Sequence, residues 1–198
     1  MRDGAAVSLS QVDSALATVR RELKLLGLFG EASRLREVPV CWCPLPQVIL
    51  AKASGFFISA DDGLVGRLGQ LVGYRAGTIY IPRIVLSQLW HQHRGSLRDI
   101  LRHEFGHATA YHYPEIVRTP SFRRVFNGDY GQDEPDQVTA AADYVSEYAQ
   151  DAPREDFAET FMVYVRSKGD VSRLGRTPRL LQKVQFVRQV AAQVAARG

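Results

Sequence analysis

The chain has 198 residues, of which 45% are hydrophobic, 23% charged and 10% aromatic. That length suits one domain with a hydrophobic core and is short for two, and the balance excludes disorder over most of the chain. No apolar run approaches the roughly 20 residues that cross a bilayer, and the first residues lack the apolar block of a secretory signal. The expectation is a cytoplasmic protein with no membrane partner.

The formal net charge is +4, from 25 basic and 21 acidic residues. It is unevenly spread: residues 129–159 carry ten acids and one arginine, and residues 166–198 carry eight bases and one acid. A basic stripe alone is weak ground for a nucleic-acid partner, so these stretches are expected to be solvated faces that lie near each other and partly cancel. The two cysteines, Cys41 and Cys43, cannot build a disulfide framework, which fits a reducing compartment.

In chain order, Leu9, Val12, Leu16, Val19, Leu23 and Leu26 recur at helical spacing and predict an amphipathic helix over 9–29, capped by Ser10 or Asp13 and ended near Gly27 and Gly30. Branched and aromatic runs at Val38–Trp42, Gln47–Ala51, Phe56–Ser59 and Thr78–Ile81 predict short strands, with a turn at Asp61-Asp62-Gly63. Helices are then expected over 83–93 and 96–112, separated at Gly95, with Ser96 as a cap and Asp99 completing a capping-box-like arrangement. Further helices are expected over 120–127, 135–150, 154–168 and 178–196, with Pro135, Pro153 and Pro178 in first turns. The order predicts an α+β fold in a single domain: an N-terminal helical extension (1–35), a core (36–168) and a basic C-terminal helix (169–198).

The chemistry concentrates in His103-Glu104-Phe105-Gly106-His107. Two histidines four apart on a helix share a face, so both imidazoles can bind one Zn²⁺. Glu104 projects about 100° around the helix from His103, within reach of a zinc-bound water without being a ligand. With this composition the motif arises by chance in about 0.006 of such chains, so a catalytic zinc motif is the better explanation. Gly106 leaves room for another backbone to approach the helix.

A catalytic zinc needs a third protein ligand. His112 faces about 140° away from His107, and His91 and His93 lie before the break at Gly95. The better candidates are Glu155 and Glu159, which share a helical face; one can ligate the metal while the other orients a ligand histidine. Spacing leaves the choice between them open. Cys41 and Cys43 with His91 and His93 form a weaker candidate for a second metal site.

The pattern HEFGH followed downstream by Y-x6-E-x-F-A-E resembles the gluzincin metallopeptidases. Within them it is similar to the zinc-binding metallopeptidases of bacteria and to the group of anthrax lethal factor and the Pro-Pro endopeptidases. The similarity lies in His103–His107, Phe122–Tyr130 and Val145–Phe161, and spans roughly residues 75–165. Some bacterial relatives carry a cysteine-rich ribbon, which two cysteines cannot supply.

The resemblance implies a zincin-like domain. It makes His103, His107 and Glu155 the ligands of one Zn²⁺ and Glu104 the general base. It also makes Tyr148 the stabiliser of the oxyanion and Glu159 a supporting residue; by spacing alone Tyr144, four residues before Tyr148 and able to share a helix face with it, competes for that role. The expected function is hydrolysis of peptide bonds in a peptide or protein substrate by a zinc-bound water, and Thr78–Ile81 either forms the cleft rim for an extended substrate or serves core packing alone. The alternative is a zincin fold that binds zinc and serves as a binding or regulatory module with negligible turnover.

Overall fold

The computed structural model describes residues 5–43, 56–58, 74–82, 84–85, 96–137, 139–172 and 177–197. The expected strand Gln47–Ala51, the turn at 61–63, the break at Gly95, and His91 and His93 lie outside these residues.

Strand β1 (Ala5–Ala6) precedes helix α1 (Leu9–Leu25), whose cap is Ser8, not Ser10 or Asp13. The reason is a reciprocal pair: the Gln11 backbone N–H donates to the Ser8 hydroxyl, and the Gln11 side chain accepts from the Ser8 backbone. The helix closes before Gly27, whose φ of 74° is left-handed and where a Cβ would lie 2.8 Å from that of Ala195.

Strands β2 (Val40–Cys43), β3 (Phe56–Ile58) and β4 (Thr78–Pro82) form a small mixed sheet in the order β2-β4-β3. β2 runs parallel to β4, with Val40 opposite Ile79, and β3 runs antiparallel to it, with Phe57 opposite Ile79. β4 is therefore the interior strand of the described sheet, paired on one side over 79–82 and on the other over 78–80, with Ile79 and Ile81 fully buried; of its two expected roles this favours core packing over the cleft rim. The expected helix over 83–93 is also corrected at its start, because Ile84–Val85 forms β5 and pairs antiparallel with β1.

Helix α2 (Leu97–His112) carries the HExxH motif. The Ser96 hydroxyl accepts from the Asp99 N–H, but the Asp99 carboxylate turns to Arg102, so the capping box is only half formed. Pro114 and Pro120 open the short helices α3 (Pro114–Val117) and α4 (Pro120–Phe126). Two longer helices follow, α5 (Pro153–Arg166) and α6 (Pro178–Ala195), each with proline in its first turn.

Among the described residues the expected helix over 135–150 does not form: single 3₁₀ turns stand at Ala141–Asp143 and Tyr148–Gln150, and Pro135 opens no helix. Local bonds from this segment go elsewhere. The Asp136 N–H donates to Asn127 O, Lys183 Nζ donates to Asp143 O, and Ser146 Oγ donates to Glu159.

The elements pack as an α+β fold around one core. α2 lies between α1 and α5, with Phe105, Phe157, Phe161, Leu23 and Val187 fully buried between the helices and Ile79 and Ile81 of β4 fully buried in the same core. Arg102 ties α1 to α2, donating from Nε to Glu22 Oε2 (2.8 Å) and from Nη2 to Glu22 Oε1 (2.7 Å). The basic C-terminal helix meets the acidic stretch, but at Lys183 and Asp156 the contact is buried and not one of solvated faces. Buried Lys183 pairs with Asp156 at 2.7 Å and lies 3.8 Å above the ring of Tyr144.

Candidate metal centre

α2 and α5 meet at their small residues. A Cβ on Gly106 would lie 2.9 Å from Ala158 Cα, so only glycine allows this approach. The closeness brings the histidine face of α2 over the first turn of α5. His103 Nε2 and His107 Nε2 are 3.1 Å apart, and Glu155 Oε2 lies 3.3 Å from each.

These three atoms outline one triangular face. In a tetrahedral site with zinc–ligand bonds of about 2.0–2.1 Å, neighbouring ligand atoms are about 3.3 Å apart, which is the spacing found. Glu155 Oε2 is buried and, among the described residues, makes no hydrogen bond of good geometry; it faces the two imidazole nitrogens instead. A carboxylate oxygen facing two imidazole nitrogens without a hydrogen bond is a donor set that fits a cation. His103, His107 and Glu155 could hold a metal ion.

The other atoms of these side chains are held from behind. His103 Nδ1 donates to Glu159 Oε1 at 2.7 Å, and Ser146 Oγ donates to Glu159 Oε2 at 2.7 Å. His107 Nδ1 lies 2.9 Å from the Tyr130 hydroxyl. Glu155 Oε1 accepts from Arg154 Nε at 3.3 Å, and Arg154 Nη1 donates to Asp133 Oδ1 at 2.9 Å. Of the two glutamates, Glu155 faces the shared point of both imidazoles, and Glu159 meets His103 at the back of its ring, through Nδ1.

Burial alone favours a neutral His103, but its contacts with Glu155 and Glu159 outweigh burial and hold its pKa well above the ordinary value. For Glu155 burial is likewise outweighed, by the charge of His107 and the contact with His103, and its pKa lies well below the carboxylate range. Glu104 is buried to 2% exposure beside the triad, and its Oε2 makes no hydrogen bond among the described residues. Burial raises its pKa against the opposing pull of His103 and His107. A carboxylate so placed is suited to accept a proton.

Tyr148 lies with its ring centre 5.7 Å from that of His103. Burial, followed by the charges of Glu155 and Glu104, raises its pKa and keeps the phenol protonated. Tyr144 is engaged by Lys183 instead, and the two tyrosines share no helix face because residues 144–147 are not helical. His112 is remote from the triad: its carbonyl accepts from Arg34 and its ring lies against Tyr111. Cys41 is exposed and Cys43 buried in β2, where burial raises the Cys43 pKa to about 11. Among the described residues neither joins a metal-binding group.

No family model, curated protein or solved structure matches the chain. What the site can do therefore rests on its own geometry. Among the described residues no helix is long and apolar enough to cross a membrane.

Sequence reasoning missed Tyr130, Asp133, Ser146 and Arg154. Tyr130 falls at the end of the Phe122–Tyr130 stretch, but nothing in one sequence marks a tyrosine in a turn as the partner of His107. Ser146 and Arg154 flank residues already singled out, and neighbourhood was the only available signal.

Proposed function

We propose that the protein is a zinc-dependent peptidase of gluzincin type, with His103, His107 and Glu155 as ligands. The observation that carries this reading is the convergence of two Nε2 atoms and the unbonded Glu155 Oε2 within 3.3 Å of one another, beside a buried Glu104. When bound there, zinc supplies Lewis acidity, lowering the pKa of water toward about 7 and polarising a carbonyl.

The protein's own groups divide the remaining work. Glu104, unbonded at Oε2, takes a proton from the attacking water and returns it to the leaving amine. Tyr148 stays protonated and donates to the oxygen on which negative charge develops. Glu159 keeps the His103 proton on Nδ1, so that Nε2 carries the lone pair.

The test is metal content. Purified protein never exposed to chelator should carry close to one zinc per chain, with little in His103→Ala. Folded wild-type protein that carries no metal and takes up none in titration would refute the assignment.

A further inference from the structure

We propose that the loop over residues 127–137 is a clamp that orients two of the three metal-binding side chains. Tyr130 fixes His107, and Arg154, pinned by Asp133, fixes Glu155. The inference rests on the metal-binding reading of the triad and adds positioning residues to it.

The loop is closed on itself and tied down at both ends. The Asp136 N–H donates to Asn127 O at 2.6 Å, and Asn127 Nδ2 donates to Gln137 O at 3.1 Å. Arg123 of α4 pairs with Asp129 at 2.8 Å and Asp136 at 3.1 Å, and Arg179 of α6 bonds Asn127 Oδ1. From this frame two contacts reach the triad. Tyr130 Oη lies 2.9 Å from His107 Nδ1, and Asp133 Oδ1 accepts from Arg154 at 2.9 Å while Arg154 donates to Glu155 Oε1.

Each contact settles one degree of freedom. For His107 Nε2 to bind a metal the ring proton must sit on Nδ1, and the Tyr130 oxygen then accepts it and fixes both tautomer and ring angle. Glu155 has two equivalent oxygens and can turn about its last torsion. With Oε1 engaged by Arg154, Oε2 alone is presented to the imidazoles. His103 needs no help from the loop, because Glu159 and Ser146 hold it.

These contacts do little for the fold. Asp133 is 89% exposed in its pair with Arg154, and such pairs contribute little to stability. Tyr130 packs its ring at 5.7 Å from Phe122 and 6.3 Å from Phe157, which a phenylalanine retains. Tyr130→Phe and Arg154→Met therefore separate orientation from packing.

The experiment measures zinc affinity of the full chain by competition with a chromophoric chelator, together with the visible absorption of the Co²⁺-loaded protein. Tyr130→Phe and Arg154→Met should each weaken zinc binding by about 10–100-fold and alter the Co²⁺ bands, while the thermal midpoint of the metal-free protein stays at the wild-type value. Asp133→Asn, which touches no ligand, should shift affinity in the same direction by less. Wild-type affinity and Co²⁺ bands in both main variants would overturn the clamp and leave the metal site standing. Affinity losses that merely follow equal losses of metal-free stability would overturn it too. A wild-type chain that binds neither metal would overturn the clamp and the metal reading together.

Discussion

Gly106 and Ala158 set the separation of the two helices that build the site. With a Cβ at Gly106 only 2.9 Å from Ala158 Cα and 3.3 Å from Phe161 Cβ, any side chain there pushes α5 away from α2. Gly106 lies between the two histidines and Ala158 between the two glutamates, so the same contact that packs the core closes the triad. Gly106→Ala should cost about 1–3 kcal/mol in a denaturant unfolding titration, as overpacking does, and should weaken zinc binding as well. An unchanged unfolding midpoint would show that the helices can separate freely.

Asp156 and Lys183 are both 2% exposed at the side chain and pair at 2.7 Å, one residue from the proposed ligand Glu155. Removing one partner strands the other charge in the core. Lys183→Met alone should destabilise the protein by about 3–5 kcal/mol, and Asp156→Leu combined with it should recover most of that loss. A double variant as unstable as the sum of the single variants would deny that the pair acts as a unit.

Much of the site was legible because helical geometry is regular. Four-residue spacing puts His103 with His107 and Glu155 with Glu159, and the glycine between the histidines marks the close approach. The sequence does not encode which glutamate faces the shared point, since that depends on how α5 crosses α2. The segment over 135–150 misled for a physical reason. Its alanines favour helix, but Lys183, Asn127 and Glu159 take its polar groups into tertiary bonds that override a weak propensity. Strand order was equally hidden, because a short apolar run reads the same at the centre of a sheet as at its edge.

The glutamates separate by experiment. Glu155→Ala should lose tight zinc binding altogether, whereas Glu159→Ala, which removes the acceptor behind His103 and the partner of Ser146, should retain zinc with affinity lower by about 10–100-fold. A competition titration distinguishes them, and the reverse order would exchange their roles and withdraw support from Tyr148.

Acidity should act oppositely on the metal-free and zinc-loaded proteins. The raised pKa of His103 contributes stability that is complete below its ordinary value of 6.5 and is lost as pH rises through the folded value. The lowered pKa of Glu155 contributes stability that is complete above 4.5 and is lost as pH falls through the folded value. Both contributions are complete between those limits, so the metal-free protein should lose stability as pH rises above 6.5. Zinc needs deprotonated imidazoles, so its stabilisation should grow over that range. Thermal melts with zinc and with chelator should diverge as pH rises. Curves that converge would contradict the coupling of His103 to the carboxylates.

The central claim is tested most directly by incubating zinc-loaded wild-type protein and Glu104→Gln with a peptide library and identifying the products by mass spectrometry. The wild type should give defined cleavages, and Glu104→Gln a loss of about 10²–10⁴-fold or more at equal zinc content, since an amide cannot accept the proton. Equal cleavage by both proteins would contradict that claim. So would a fully zinc-loaded wild type that cleaves nothing, which would mark the fold as a zinc-binding module without turnover.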